Sequence, residues 1–304
     1  MNNSQSPDMQ TETIDRSLID MDLKANDSIL SLLLQSQQRA FTAVESAKPQ
    51  LDIAVREAAL RLRTPKGRLV LVGAGASGRI AVQDGAELWP TFGWPDERLL
   101  TLIAGGNTAL VKSVEAVEDD EQCAREQVIG HRIGKQDVVV CVAASGRSPW
   151  TCQWLESASA NGALSIAIAN NRHSRLLNNA EIPVFLDSGA EILAGSTRMA
   201  AGTAQKIALN LLSTTLMIRM NRTYGNLMVD MAAVNAKLDE RRIRLLQGVL
   251  PEIDTATARR ALTASGGWVK LAALVALGDD VDQARVTLAQ HNGSLRAALD
   301  ARDH

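Results

Sequence analysis

The sequence predicts an α/β protein: a doubly wound, five-stranded parallel sheet with N-terminal helices and a small C-terminal helical bundle. Three observations carry this expectation. Five short apolar runs, at 69–72, 99–104, 138–142, 164–169 and 182–186, alternate with helix-length segments, which is the pattern of a parallel sheet covered on both faces. Glycine-rich loops follow the first run (73–78) and the third (143–148), at the edge where open parallel sheets bind ligands. Beyond Pro251 the chain turns to short Ala- and Leu-rich pieces separated by Gly266-Gly267, Gly278 and Gly293, as in a bundle of short helices.

With 304 residues, 46% hydrophobic and 22% charged, the chain can bury a full core and hold one large domain and one small one. A net charge of -2 offers no general attraction for nucleic acid or an anionic membrane, and 3% aromatics leave little for base stacking. Neither is expected as a partner. Cys123, Cys141 and Cys152 form no Cys-x-x-Cys pair, which suits structural thiols in a reducing compartment. His131, His173, His291 and His304 show no metal-ligand spacing. No metal is expected. The polar first ten residues lack the apolar core of a signal peptide, and no run approaches the roughly 20 residues of a membrane span. A cytoplasmic location is the expectation.

Residues 1 to about 12 are polar and expected to be disordered. From 17 to 63, Ile29, Leu32, Leu33 and Leu34, then Leu51, Val55, Ala58, Ala59 and Leu62, recur at helical spacing, which predicts two or three helices. Thr64-Pro65-Lys66-Gly67 ends the last of them. A long apolar helix is predicted over 197–221 through Ala201, Ala204, Ile207, Ala208, Leu211 and Leu212, either buried centrally or paired with another subunit. Another runs from 227 to about 246, and four short ones cover 256–265, 268–276, 280–290 and 294–301. The expected divisions are 1–63, 64–248 and 249–304.

Gly73, Gly75 and Gly78 turn the first strand into a helix carrying Ser77, Arg79 and, ten residues past Ser77, Glu87. Glycines let the backbone approach a ligand closely, and the unpaired amides of a helix start favour a phosphate or carboxylate. A dinucleotide site wants an acidic residue about 20 positions on, at the end of the second strand. Here that strand ends in Gly105-Gly106-Asn107. A phosphorylated sugar therefore fits better than a nicotinamide cofactor.

The second loop, Ala143-Ala144-Ser145-Gly146-Arg147-Ser148-Pro149, places Ser148 at a helix N-cap ahead of Pro149. A cap needs no ligand, but two Ser/Gly/Arg loops at one sheet edge favour phosphate. Glu87 near the end of its helix and Glu118 on a helix after Gly105-Gly106 are carboxylates that could divide acid and base duties in a pocket. Glu118-Asp119-Asp120 also reads as a solvated surface patch.

Seven blocks in order resemble the N-acetylmuramic acid 6-phosphate etherases: Val-Gly-Ala-Gly-Ala-Ser-Gly-Arg (72–79), Pro-Thr-Phe-Gly (90–93), Ile-Ala-Gly-Gly (103–106), Ala-Val-Glu-Asp-Asp (116–120), Ala-Ala-Ser-Gly-Arg-Ser-Pro (143–149), Gly-Ser-Thr-Arg-Met-Ala-Ala-Gly-Thr-Ala-Gln-Lys (195–206) and Tyr-Gly-Asn-Leu-Met-Val-Asp (224–230). The core is similar to the sugar isomerase (SIS) domain, and the tail resembles a ubiquitin-associated-like helical domain. The resemblance implies a cofactor-free lyase of peptidoglycan amino-sugar recycling that acts on a phosphorylated amino sugar as a homodimer. It would remove D-lactate from N-acetylmuramic acid 6-phosphate by elimination and hydration, leaving N-acetylglucosamine 6-phosphate. By position in the motifs it implies Glu87 as the acid at the leaving group and Glu118 as the base at C2. Gly75, Ser77, Ser145, Gly146 and Ser148 would hold the phosphate, and Glu191 and Ser196 would line the sugar pocket.

The chain departs from the family pattern in places. Ala76 stands where Thr is usual, Ala200 where Lys is usual, and Leu88-Trp89 replaces Cys-Pro beside Glu87; 36–43 lacks an Asn-x-Glu-Asp pattern. A sugar-phosphate-sensing regulator and a sugar-phosphate isomerase are the competing functions. Retention of both Glu87 and Glu118 favours the lyase.

Overall fold

The computed structural model describes residues 9–231 and 237–302. They form two compact units: one holds residues up to Gly85 together with Glu97–Ser213, the other Ala86–Asp96 together with the chain from Thr214 onward. In chain order the helices and strands are α1 (Asn26–Leu62), β1 (Leu69–Gly73), α2 (Gly75–Ala86), α3 (Leu88–Phe92), β2 (Leu99–Ile103), α4 (Thr108–Val111), α5 (Glu121–Gly130), β3 (Val138–Val142), α6 (Pro149–Ala160), β4 (Leu164–Ala169), α7 (Arg175–Asn178), β5 (Ile182–Phe185) and α8 (Ala200–Arg219). The helical tail adds α9 (Lys237–Val249), α10 (Thr255–Ala264), α11 (Val269–Ala276), α12 (Val281–Gln290) and α13 (Leu295–Asp300).

All five strands are parallel, in the order β2-β1-β3-β4-β5. β1, β3 and β4 are buried at every residue, which is why they read as unbroken apolar runs rather than alternating ones. Val70, Val72, Val139, Cys141, Ala167 and Ala169 face one side and pack with Ala124 and Val128 of α5 and Trp150, Trp154 and Leu155 of α6. Successive strand side chains point to opposite faces, so Leu71, Leu99 and Thr101 face the other way, where Gly85 of α2 lies. A Cβ on Gly85 would meet Thr101 Cγ2 at 2.4 Å. Thus α2 covers one face while α5 and α6 cover the opposite one. The chain leaves β1 toward β2 and leaves β3 toward β4, and this divergence opens a crevice at the carboxyl ends of β1 and β3.

The N-terminal region differs from expectation in two ways. Residues 1–8 of the segment expected to be disordered lie outside the described residues, but Gln10–Glu12 is a 3-10 turn with Thr11 fully buried. In place of two or three helices, one 37-residue helix runs from Asn26 to Leu62, through Pro49. Proline costs a helix interior about 3 kcal/mol or more. A continuous stripe on both sides of it, Ala40, Ala43, Val44, Ala47, then Leu51, Ala54, Val55 and Ala58, is buried and offsets that loss.

In the second unit, Val229, Ile243, Leu246, Leu262, Ala272, Leu274, Leu295 and Ala298 share one core. Asp254 and Asp280 cap α10 and α12 by accepting from Thr257 N and Gln283 N. A buried ion pair lies beside that core. Lys270 Nζ donates to Asp230 Oδ2 at 2.5 Å, to Asn221 O at 2.7 Å and to Gly293 O at 2.9 Å. Burial pushes the Asp230 carboxyl up and pulls the Lys270 ammonium down, while their mutual attraction opposes both shifts. The helix expected from 227 onward is described over Lys237–Val249, while 227–231 are not helical and Tyr224 and Leu227 form an isolated bridge; the 232–236 part of that expectation lies outside the described residues.

Candidate functional site

The two glycine-rich loops lie at the crevice between the ends of β1 and β3, because Gly73 and Val142 are register partners at the ends of those strands. The first loop is tight. Gly78 N donates to Ala74 O at 3.0 Å, and a Cβ on Gly78 would sit 2.7 Å from Gly73 O. Only a glycine lets α2 start this close to its strand. Gly75, with φ +54, is exposed at the head of α2, and Ser77 is buried in the first turn. Amides of a first helical turn have no partner within the helix, so this end of α2 is disposed toward an anion. Arg79 is turned elsewhere: Nε donates to Ala109 O at 2.8 Å and Nη2 to Lys112 O at 3.0 Å, tying down the segment after β2.

In the second loop Ser145 Oγ accepts from Arg147 N at 3.1 Å. Gly146 has φ +64, and a Cβ there would meet Ser174 Oγ at 2.2 Å, so both backbone and neighbour require glycine. Ser148 occupies the N-cap of α6, with Pro149 next, but its hydroxyl makes no capping bond. It lies 3.1 Å from Thr151 Oγ1 and 3.4 Å from Glu118 O. Of the two readings of Ser148, the simple cap is the one this geometry disfavours.

Glu118 is on a 3-10 turn, Val117–Asp119, rather than the expected helix. Ala116 before it is left-handed, with φ 63, and this reverses the chain ahead of α5. The carbonyl of Glu118 receives Ser148 while its side chain is exposed, so the structure brings Glu118 to the second loop. Glu87 follows the end of α2 instead of riding on it, at the N-cap of α3 in the second unit, and is exposed.

Glu191 is 2% exposed, and its two oxygens accept from Ala200 N at 3.0 Å and Ala201 N at 2.9 Å. It caps α8, a charge-assisted arrangement favoured at a helix start. Ser196 is half-buried in the turn before α8, with its N–H on Leu193 O at 2.8 Å. Ala200, where the family pattern has Lys, is fully buried.

Sequence reading did not find the polar layer beneath these loops. Asn170 N and Asn171 Nδ2 both donate to Ala144 O at 3.0 Å, and Gln205 Nε2 donates to Asn170 Oδ1 at 3.0 Å. The one available signal was a pair of asparagines directly after a buried strand. Among the described residues, no group of three or more His, Cys, Asp or Glu is placed to hold a metal ion, and no helix is long and apolar enough to cross a membrane. Cys141 and Cys152 are buried, and burial pushes the Cys152 thiol up to about 12, so neither is poised as a nucleophile.

A parallel sheet of this order with Ser/Gly loops at its switch point is a doubly wound α/β domain that binds its ligand at that edge. Accordingly, the SIS domain model matches residues 111–215, and the model of the glucokinase regulatory protein N-terminal SIS domain matches 53–158. A phosphoheptose isomerase from Francisella tularensis, 19% identical, shares the fold with a TM-score of 0.50 over 64% of this chain and 98% of that one. The chain belongs to the N-acetylmuramic acid 6-phosphate etherase family. It is 45% identical over 291 residues to the etherase of Deinococcus radiodurans, covering 95% of each chain, and 40% identical over 294 residues to that of Vibrio vulnificus, covering 95% of this chain and 96% of that one.

Proposed function

We propose that the protein is a carbon-oxygen lyase that cleaves the lactyl ether of N-acetylmuramic acid 6-phosphate, giving N-acetylglucosamine 6-phosphate and D-lactate. The near-full-length likeness to proteins bearing the etherase name carries this reading. The 6-phosphate sits against the first turn of α2 and the 145–148 loop, where Gly75 and Ser77 offer amides, Ser77, Ser145 and Ser148 offer hydroxyls, and Gly146, its own amide on Ala143 O at 3.0 Å, supplies the turn that presents them. The opened sugar presents an aldehyde at C1, which makes the C2 proton acidic. Glu118 takes that proton, the C2–H electron pair is held as the C1–C2 enolate, and it then forms the C2–C3 double bond, restoring the aldehyde, as the C3–O bond breaks. Glu87 protonates the departing lactate oxygen. Water then adds at C3 and a proton returns to C2. A bound carboxylic acid and carboxylate each supply about 10²–10⁴-fold in such steps.

In deuterated water the product should carry deuterium at C2. Product without C2 deuterium would remove proton abstraction from the reaction. Isomerised sugar without lactate would show an isomerase, and binding with neither product would show a sensor.

We infer further that the chain acts in the cytoplasm as a homodimer, with 64–248 as the sugar-phosphate domain, 1–63 packed on it and 249–304 as the appended helical part. Ile14, Ile19, Leu23, Leu30, Leu34 and Phe41 are each at least 64% exposed along the N-terminal turns and α1. Apolar residues in such a stretch call for a covering surface, and a second copy supplies one. Light scattering should give twice the chain mass; a monomer at working concentration would contradict this.

A further inference from the structure

We propose that Thr11 is a positioning residue for the sugar-phosphate crevice, acting through Asn171 beneath the 145–148 loop and held in place by Gly195 ahead of α8. The inference rests on the reading of the 145–148 loop as the phosphate cradle. Thr11 is fully buried, and three of its groups are engaged by residues far away in sequence. Its N–H donates to Asn171 Oδ1 at 3.4 Å, its Oγ1 accepts from Asn171 Nδ2 at 3.1 Å, and its carbonyl accepts from Gly195 N at 3.0 Å.

Asn171 is 1% exposed, and its side-chain amide has two hydrogens to place. One goes to Thr11 Oγ1 and the other to Ala144 O at 3.0 Å. The Thr11 hydroxyl therefore fixes which way the amide points and keeps a donor on Ala144, the residue directly before Ser145. Removing that hydroxyl leaves a buried donor unpaired, and the amide turns to recover a partner at the expense of Ala144. Gly195 has φ +76, and a Cβ there would meet Glu12 Oε2 at 2.6 Å. The 10–12 turn thus seats directly on the backbone that leads into Ser196. Gln10 Nε2 pins the same turn to Asp187 Oδ1 at 3.0 Å. A turn near the N-terminus thus ties the segment that leads into α8 to the layer beneath the 145–148 loop.

The test is Thr11→Val, which keeps the shape and loses the hydroxyl, beside Thr11→Ser, which keeps the hydroxyl. Calorimetric binding of N-acetylglucosamine 6-phosphate should weaken about ten-fold in the valine variant. KM for N-acetylmuramic acid 6-phosphate should rise by a similar factor with kcat within about two-fold, and serine should restore both. Amide exchange at 145–147 should quicken in valine and not in serine, a readout that needs no ligand. Should the valine variant fail to fold, Asn171→Asp, which loses the Nδ2 donor to Ala144, carries the same expectations. Wild-type-like exchange and binding in these variants would overturn the proposal. A wild type that binds the sugar phosphate but releases no lactate would sink the etherase reading alone, with the binding and exchange arms still deciding the role of Thr11.

Discussion

Glu118→Gln is expected to cut lactate release by about 10²–10⁴-fold, the usual worth of one general base, while leaving the fold and sugar-phosphate binding in place. Glutamine has the same shape and cannot accept the C2 proton as a carboxylate does. The structure makes the experiment clean, because Glu118 holds Ser148 through its backbone carbonyl and its side chain is exposed. Exposed substitutions of this kind stay within about 0.5 kcal/mol of wild type. Glu87→Gln should lose lactate release over the same range, but through the leaving group, so a substrate analogue with a more acidic leaving acid should recover part of its rate. C2 deuterium exchange separates the two: Glu118→Gln loses it, whereas Glu87→Gln keeps it. Retained release in either variant would remove that residue from the mechanism.

Lys270→Met is expected to destabilise the protein by about 3–5 kcal/mol, the cost of leaving one partner of a buried ion pair behind. Lys270 is 6% exposed and Asp230 is 6% exposed, so neither is rescued by water. Methionine also withdraws the donor from Asn221 O and Gly293 O, which Lys270 holds together. Arg222, 3.6 Å from Asp230 Oδ2, supplies only part of the lost compensation, because it is also committed to Gly93 O at 3.2 Å and to the Trp94 ring. The double variant Asp230→Leu with Lys270→Met should lose less than the sum of the single losses, since it leaves no orphaned charge. Chemical denaturation reads all three. A single-variant loss under about 1 kcal/mol would show that the pair carries little of the stability of the second unit.

The sheet was legible because its central strands are buried on both faces and so appear as short apolar runs; the order β2-β1-β3-β4-β5 was not, because apolar runs do not say which strands are neighbours. The runs at 138–142 and 164–169 match β3 and β4 end to end. The four short tail helices were legible from the glycines that separate them. The single helix α1 was not, because whether a helix continues through Pro49 depends on what the flanking alanines bury, a tertiary fact. The loops of the site were visible as glycine and serine patterns, but the turn carrying Glu118 depends on a left-handed Ala116 that no propensity marks. Thr11 was the least legible: its partners lie 160 residues away at Asn171 and further on at Gly195, so nothing local distinguishes it from the polar residues around it. Glu191, which the resemblance implies for the sugar pocket, gives no local sign in the sequence that α8 begins against it.

The most direct measurement is the product analysis of the purified protein incubated with N-acetylmuramic acid 6-phosphate and nothing else. D-lactate and N-acetylglucosamine 6-phosphate should appear in equal amounts. Intact substrate recovered in full, or a rearranged sugar with its lactyl ether still attached, would contradict it.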